Sequence, residues 1–399
     1  MPKTLSLVFK NRSIRVSTVS IFFFGFAGAA TTPYLSIIGI QELGMSDRLY
    51  ALVILLGALV SVTVSVLIGT LADRIGSYRM ALIATSVAGV IGFCWVYALP
   101  SQASFVVAKV LFIPFFTALN ALVFANVRNE TADLSSGAMS AVNSTVRATL
   151  SLSWVLVPGI VGIMLSASAT MLPAFLFAGL SAFVCFLLFA FLLPDVDIAA
   201  RKRRVEPFFR AFAAFSGAGI WIRMLAISLI TAMLHMNGTV LPLILTEQAG
   251  GTVSDVGIIV GIVAGLEIVF IIFWSYVERY LPHVVTLVIG AVIYTVYLYL
   301  LGQVTAPWQA YALTSLASLG AAAIISIPLT YLQNLISDRP GLGSSLISIN
   351  MFSSAGLAAG LFALGTNISN YAGTAVLAAA AGFAGAALVL YLDGPRRRR

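Results

Sequence analysis

Three charged side chains lie inside long apolar stretches of this 399-residue sequence: Lys109, Arg147 and Glu267. A charge at the centre of a bilayer costs about 3 kcal/mol or more, so such residues usually face a cavity or a partner. We predict that Arg147 and Glu267 meet, directly or through a water, in one conformation. Protonation of Glu267 would then weaken the pair, so that proton binding and substrate binding compete. A fixed structural ion pair is the alternative interpretation.

The depths of these two residues favour a meeting. Because a helix rises about 1.5 Å per residue, Arg147 lies about 14 Å and Glu267 about 15 Å from the same membrane face. Lys109, nearer the other face, is a third candidate for coupling or gating. Its long stem also allows the ammonium group to reach the headgroups without any such role.

Polar and aromatic side chains suited to a sugar lie in the same apolar runs. A sugar ring needs paired hydrogen-bond donors and acceptors, and an aromatic face for its apolar side. The candidate binding residues are Asn120, Asn143, Trp154, His235, Asn237 and Asn350. Hydrogen bonds between helices explain buried amides and imidazoles equally well. His235 is also a candidate proton relay.

Membrane helices must position these residues, because the chain is 60% hydrophobic and 9% charged, with a mean hydropathy of +1.04. Twelve runs reach the length of about 20 residues that spans a bilayer. All 22 Lys and Arg residues except Arg48, Lys109 and Arg147 fall on the side of the termini. The positive-inside rule therefore predicts cytoplasmic termini. The net charge of +8 reflects this topology and does not indicate a nucleic-acid partner.

The longest connection divides the runs six and six. We predict an N-terminal six-helix bundle over residues 1–193, a basic cytoplasmic linker over residues 194–219, and a C-terminal six-helix bundle over residues 220–399. The two halves share features at matching places, since Asp255 corresponds to Asp47 and Pro242 to Pro33. Parallel repeats of six helices are typical of transporters that bind substrate between two bundles.

The sequence offers no catalytic or metal-binding pattern. Cys94 and Cys185 lie in apolar runs without the spacing of metal ligands. Neither a nucleophile with a base nor a phosphate-binding loop is recognisable. We therefore expect no enzyme activity, no cofactor and no bound metal.

A glycine-rich turn follows the second apolar run. It contains Gly69, Asp73, Arg74, Gly76 and Arg79 in the pattern Gly-x-Leu-Ala-Asp-Arg-x-Gly-x-x-Arg. This pattern resembles the signature between helices two and three of the major facilitator superfamily. The resemblance implies an all-α membrane protein with twelve transmembrane helices in two bundles, in which these residues form a cytoplasmic latch.

Further segments resemble the bacterial sugar efflux transporter family within that superfamily. They are Gly25–Ala29, Pro33–Ser36, Arg147–Val155 and Ala264–Ile268. This resemblance implies export of sugars or glycosides in exchange for protons by alternating access. It also implies a multi-pass protein of the bacterial inner membrane. We expect a monomer whose partners are a small sugar or glycoside, protons and membrane lipids.

Two alternatives stay open. The phenylalanine-rich runs around Phe23 and Phe115 are compatible with a drug/proton antiporter for amphipathic compounds. A carrier-like sensor or a membrane enzyme that moves no substrate is the third interpretation. It would need an added soluble domain or a catalytic constellation.

Overall fold

The computed structural model describes residues 11–75, 77–194, 218–335 and 340–394. Within these ranges, twelve helices are long and apolar enough to cross a membrane. They are α1 (Arg12–Tyr34), α2 (Asp47–Gly69), α3 (Tyr78–Ala98), α4 (Gln102–Glu130), α5 (Gly137–Ser166), α6 (Pro173–Leu192), α7 (Gly219–Gln248), α8 (Val253–Val277), α9 (His283–Leu301), α10 (Thr314–Gln333), α11 (Leu346–Ile368) and α12 (Tyr371–Asp393). The predicted twelve-helix, all-α class is confirmed. Nearly all of the predicted linker over residues 194–219 lies outside the described residues.

The helices pack as two groups of six. In the first group α1 contacts α5 and α6, α2 contacts α4, and α3 contacts α4 and α6. In the second group α7 contacts α11 and α12, α8 contacts α10, and α9 contacts α10 and α12. The two groups meet along two main seams, α5 against α8 and α2 against α11.

Matching helices of the two bundles end in the same way. The chain after α1 continues through a π-helical turn (Ile37–Glu42), and α7 finishes in another (Ile244–Gln248). Each turn is followed by a glycine with positive φ, Gly44 at 66° and Gly250 at 67°. Glycine adopts this left-handed backbone without steric cost, which lets the chain reverse into the next helix.

The fourth helix of each bundle is interrupted at a matching place. In α4 a six-residue segment, Gln102–Val107, precedes a π-helical turn over Ala108–Phe112. Before α10 another six-residue helix, Pro307–Ala312, precedes a break at Leu313. Shared interruptions of this kind indicate an internal repeat of six helices.

The two ends of the molecule differ. We call the end where α1 begins and α12 finishes the terminal side, and the opposite end the far side. At the far side, Gln41 donates to Glu247 at 2.8 Å and Tyr371 donates to Asp47 at 3.1 Å. Both hydrogen bonds join the first bundle to the second. The bundles are therefore closed against each other at the far side.

The terminal half of α2 is uncovered. Leu67 of α2 and Leu71, in the helical turn that continues beyond it, are 61% and 56% exposed, and a Cβ built on Gly69 would meet no atom within 4 Å. An apolar groove of about 580 Å³ also lies along α7 and α11, between Trp221 and Leu364. Because the far side is bridged and this stretch is uncovered, we infer that the described conformation opens toward the terminal side.

Candidate functional site

Two helices from different bundles touch backbone to backbone in their far halves. A Cβ on Gly257 of α8 would overlap the carbonyl of Pro158 of α5, and one on Gly261 would lie 2.9 Å from the carbonyl oxygen of Val155. Glycine is required here because any larger residue would separate the helices. The seam between α5 and α8 thus fixes the register of the two bundles.

This register shows the relative depth of the predicted ion-pair residues. The two helices are antiparallel, and Gly261 lies opposite Val155. Glu267 is six residues farther along α8, so it lies at the same depth as about residue 149 of α5. Arg147 is about 3 Å away along the axis from that level. The two charged residues therefore lie within one helical turn of the same depth, on opposite bundles.

Arg147 and Glu267 are not paired in this conformation. Arg147 is exposed, and its guanidinium carbon lies 5.1 Å from the centre of the Phe124 ring of α4. No salt bridge joins Arg147 to Glu267, both of which are described residues. The predicted meeting belongs to the conformation that is closed on the terminal side, so it stays a prediction.

Glu267 faces the interior of its own bundle. Successive helical residues are about 100° apart, which places Glu267 on the same face of α8 as Trp274. The Trp274 indole donates to the carbonyl of Leu319 in α10 at 2.8 Å. The outward face of α8 carries Val269 and Ile272, which are 59% and 69% exposed. Glu267 is therefore not directed toward lipid.

Candidate sugar contacts from the first bundle share one wall with Arg147. Asn143 and Trp154 lie four residues before and seven residues after Arg147, on the same face of α5. On α4, Asn120 lies one turn from Phe124, and its Oδ1 atom is buried with no hydrogen-bond partner among the described residues. This wall combines two amides, a base and two aromatic rings.

Two amides of the second bundle are already bonded. Asn350 of α11 accepts from Ser228 at 3.0 Å and donates to Thr231 at 3.3 Å, both on α7. Asn237 of α7 accepts from Tyr297 of α9 at 2.8 Å. In this conformation both amides join helices, and their contact with a substrate stays a prediction.

His235 and Lys109 lie away from Arg147. His235 lines a cavity of about 20 Å³ between α2, α7 and α11. Lys109 lies in the π-helical turn of α4, about 22 Å along the helix from Phe124. The structure therefore does not bring these two residues together with Arg147 and Glu267.

The predicted latch is only partly described. Gly76 lies outside the described residues, as do the side chains of Asp73 and Arg74. Arg79 donates to the carbonyls of Phe189 and Ala190 at the end of α6, at 3.3 and 2.6 Å. A cation suits the exposed carbonyls at a helix C-terminus. Arg79 is thus engaged within its own bundle.

Sequence reasoning missed Phe124 and the seam glycines. Phe124 is one helical turn from Asn120, but its residue type alone does not distinguish it from phenylalanines that face lipid. The glycines gave a stronger signal, because Gly257, Gly261 and Gly265 recur every four residues. Small residues at this spacing are typical of close helix packing in membranes.

The described residues hold no group of three His, Cys, Asp or Glu side chains placed to bind a metal ion.

Proteins of similar sequence were compared with this chain. Residues 2–149 match the family model described as the Major Facilitator Superfamily. A protein of Deinococcus radiodurans whose name assigns it to sugar efflux is 26% identical over 333 residues, covering 83% of this chain and 85% of that protein. Sugar efflux transporter A of Dickeya chrysanthemi is 26% identical over 340 residues, covering 83% of each chain.

Solved structures agree on the fold. The nucleoside transporter NupG superposes with a TM-score of 0.80 at 14% identity, covering 96% of this chain and 99% of the other. The peptide transporter POT in complex with sulfate gives 0.76 at 14% identity, covering 96% and 94%. The chain therefore has the major facilitator fold, and it resembles the major facilitator superfamily and, over most of its length, proteins named for sugar efflux.

Proposed function

We propose that the protein is a secondary active transporter that exports sugars or glycosides in exchange for protons. The placement of Arg147 and Glu267 carries this proposal. They lie within one helical turn of the same depth on opposite bundles, on helices whose backbones touch at Gly257 and Gly261 in their far halves. Rocking of the bundles would close the terminal half of this seam and bring the base to the acid.

We assign the terminal side to the cytoplasm of a bacterial inner membrane, because the Lys and Arg residues are concentrated there. The described conformation is then open to the cytoplasm. Sugar enters the wall formed by Asn120, Asn143, Arg147 and Trp154, where amides and the base bind hydroxyl groups and the indole covers the apolar face of the ring.

The proton acts on Glu267 of the second bundle. With Glu267 ionised, closure of the terminal side gains an attraction to Arg147; with Glu267 protonated, most of that attraction is lost. A bound proton and a bound sugar therefore favour different conformations, which is the condition for exchange. The names of the two relatives, both assigned to sugar efflux, support sugar as the substrate class.

Everted membrane vesicles test this function, because their cytoplasmic face is outside. We expect radiolabelled lactose or a thiogalactoside to accumulate inside when the lumen is acidified, and a protonophore to abolish the accumulation. Vesicles without the protein are the baseline. Equal sugar levels with and without the gradient would contradict the proposal.

A second candidate is a drug/proton antiporter for amphipathic compounds. The groove along α7 and α11 favours it, because its lining is almost entirely apolar and includes Trp221, Phe352 and Leu364. Gradient-driven movement of a cationic dye in the same vesicles, without movement of sugar, would select this function.

A further inference from the structure

The small cavity at His235 lies between the bundles in their far halves. Its walls come from three helices: Tyr50 and Ile54 of α2, His235 and Thr239 of α7, and Ala359 and Phe362 of α11. At about 20 Å³ it has room for about one water molecule. His235 therefore lies at the far-side contact of α2 with α7 and α11.

The surroundings of His235 suit a neutral ring only. Its imidazole makes no hydrogen bond with any described residue, and no acid lines the described cavity. Tyr50 is the other titratable residue in the wall, and α11 carries none between Leu346 and Ile368. A buried imidazolium without a partner is costly, because its hydration is lost and nothing replaces it.

Other titratable groups on the neighbouring helices are already engaged. Tyr34, at the end of α1, donates to the carbonyl of Pro158, and Tyr297 of α9 donates to Asn237. Nearer the far surface, Asp47 accepts from Tyr371 and Glu247 accepts from Gln41, while Arg48 donates to Asn367. No described acid is left beside His235 to compensate a positive charge.

We propose that His235 is the proton-responsive group of the far-side gate: its protonation separates α2 from α7 and α11 and opens the site to the far side. The charged imidazolium ring is hydrated when the helices separate, and it loses this hydration without gaining a partner when they close. Protonation therefore favours the open state. The inference rests on the proposed function in one respect, that protons from the far side drive the exchange.

Distance measurements between spin labels test this gate directly. The two native cysteines are replaced, and labels are placed at the exposed positions Leu52 of α2 and Ile368 of α11. We expect the population with a long distance to rise between pH 8 and pH 5, in lipid nanodiscs without substrate. His235→Gln should abolish the rise. His283→Gln should leave it unchanged, because the chain has only two histidines and His283 lies at the terminal-side end of α9.

A permanent charge provides a second variant. His235→Arg should give the long distance at both pH values, and if this variant does not fold, His235→Gln still decides the question. The same measurement in a Glu267→Gln background separates this gate from the proposed coupling acid, and the pH response should persist there. Since neither substrate nor gradient is present, failure of sugar transport would leave this result intact. An unchanged pH response in His235→Gln would overturn the proposal.

Discussion

Arg147 and Glu267 lie at nearly the same depth on two helices whose backbones touch in their far halves. In the described conformation Arg147 stacks on Phe124 of its own bundle, 5.1 Å from the ring centre, and Glu267 faces the interior of the other bundle. Each residue therefore has one environment with the terminal side open and would gain another when it closes. If Arg147 leaves the Phe124 ring and pairs with Glu267 on closure, then the protonation of Glu267 is linked to the conformation.

Replacement of Glu267 by glutamine should uncouple transport from the proton gradient. The amide keeps the size of the side chain but neither ionises nor attracts Arg147 as strongly. We expect gradient-driven accumulation of sugar in everted vesicles to fall by about tenfold or more, while exchange of labelled for unlabelled sugar without a gradient continues. Glu278→Gln is the matched control, because Glu278 pairs with His283 at the terminal side and lies outside the proposed site. Accumulation that persists unchanged in Glu267→Gln would remove the acid from the mechanism.

Loss of the aromatic ring under Arg147 should shift the conformational equilibrium. A cation over an aromatic ring contributes about 0.5–2 kcal/mol, depending on solvation. Phe124→Leu should therefore lower the ratio of the terminal-open to the terminal-closed population by about twofold to thirtyfold, because the stack stabilises the described conformation. Phe124→Tyr keeps the ring and should leave the population near that of the wild type. Spin labels at Leu67 of α2 and Met351 of α11, both exposed, report the opening.

The features that follow from composition and periodicity were predictable from the sequence. Runs of apolar residues locate the twelve helices, and the depth of Arg147 and Glu267 follows from counting along them. The hydrogen-bond partners of the Asn side chains were not predictable, because the sequence of an amide residue is the same whether it binds a ligand or a neighbouring helix. Asn350 is bonded to α7, whereas Asn120 has an unpartnered buried oxygen. The type and spacing of these two residues give no hint of the difference.

Asn350 should contribute to stability rather than to affinity for substrate. Its amide bonds to Ser228 and Thr231 of α7 and is 4% exposed. Hydrogen bonds between membrane helices contribute about 0.6 kcal/mol each on average. Asn350→Ala should therefore lower the free energy of unfolding by about 1 kcal/mol, measured by denaturation in mixed micelles, with KM for sugar nearly unchanged. A large rise in KM at normal stability would instead make Asn350 a ligand.

Trp154 should provide the aromatic face of the sugar site. Its ring lies against α1, where a Cβ on Gly28 would come within 3.4 Å of it, and its face is shared with Arg147. Trp154→Ala should raise KM for sugar by about fivefold to thirtyfold, as expected when about 1–2 kcal/mol of ring contact is lost. Trp308→Ala is the matched control, because Trp308 is 67% exposed and lies on the far side before α10. Equal KM values for the two variants would contradict this role.

Gly257 should set the balance between the two open conformations. A Cβ at this position would overlap the carbonyl of Pro158, which also accepts a hydrogen bond from Tyr34 at 2.7 Å. Backbone atoms cannot swing aside as a side-chain end does, so Gly257→Ala must push α5 and α8 apart. Overpacking of this kind costs about 1–3 kcal/mol, which would raise the ratio of the far-open to the far-closed population by about fivefold or more. Labels at Ile160 of α5 and Ile262 of α8, both exposed, measure the separation.

Gly238→Ala is the control for this substitution, because a Cβ there would meet no atom within 4 Å. It introduces the same methyl group into a helix at a site where nothing has to move, so its distance distribution should match that of the wild type. If Gly257→Ala also keeps the wild-type distribution, then α5 and α8 can absorb a methyl group at their closest approach. The α5–α8 seam would then not hold the far side closed. The register derived from it could then no longer be used to compare the depths of Arg147 and Glu267.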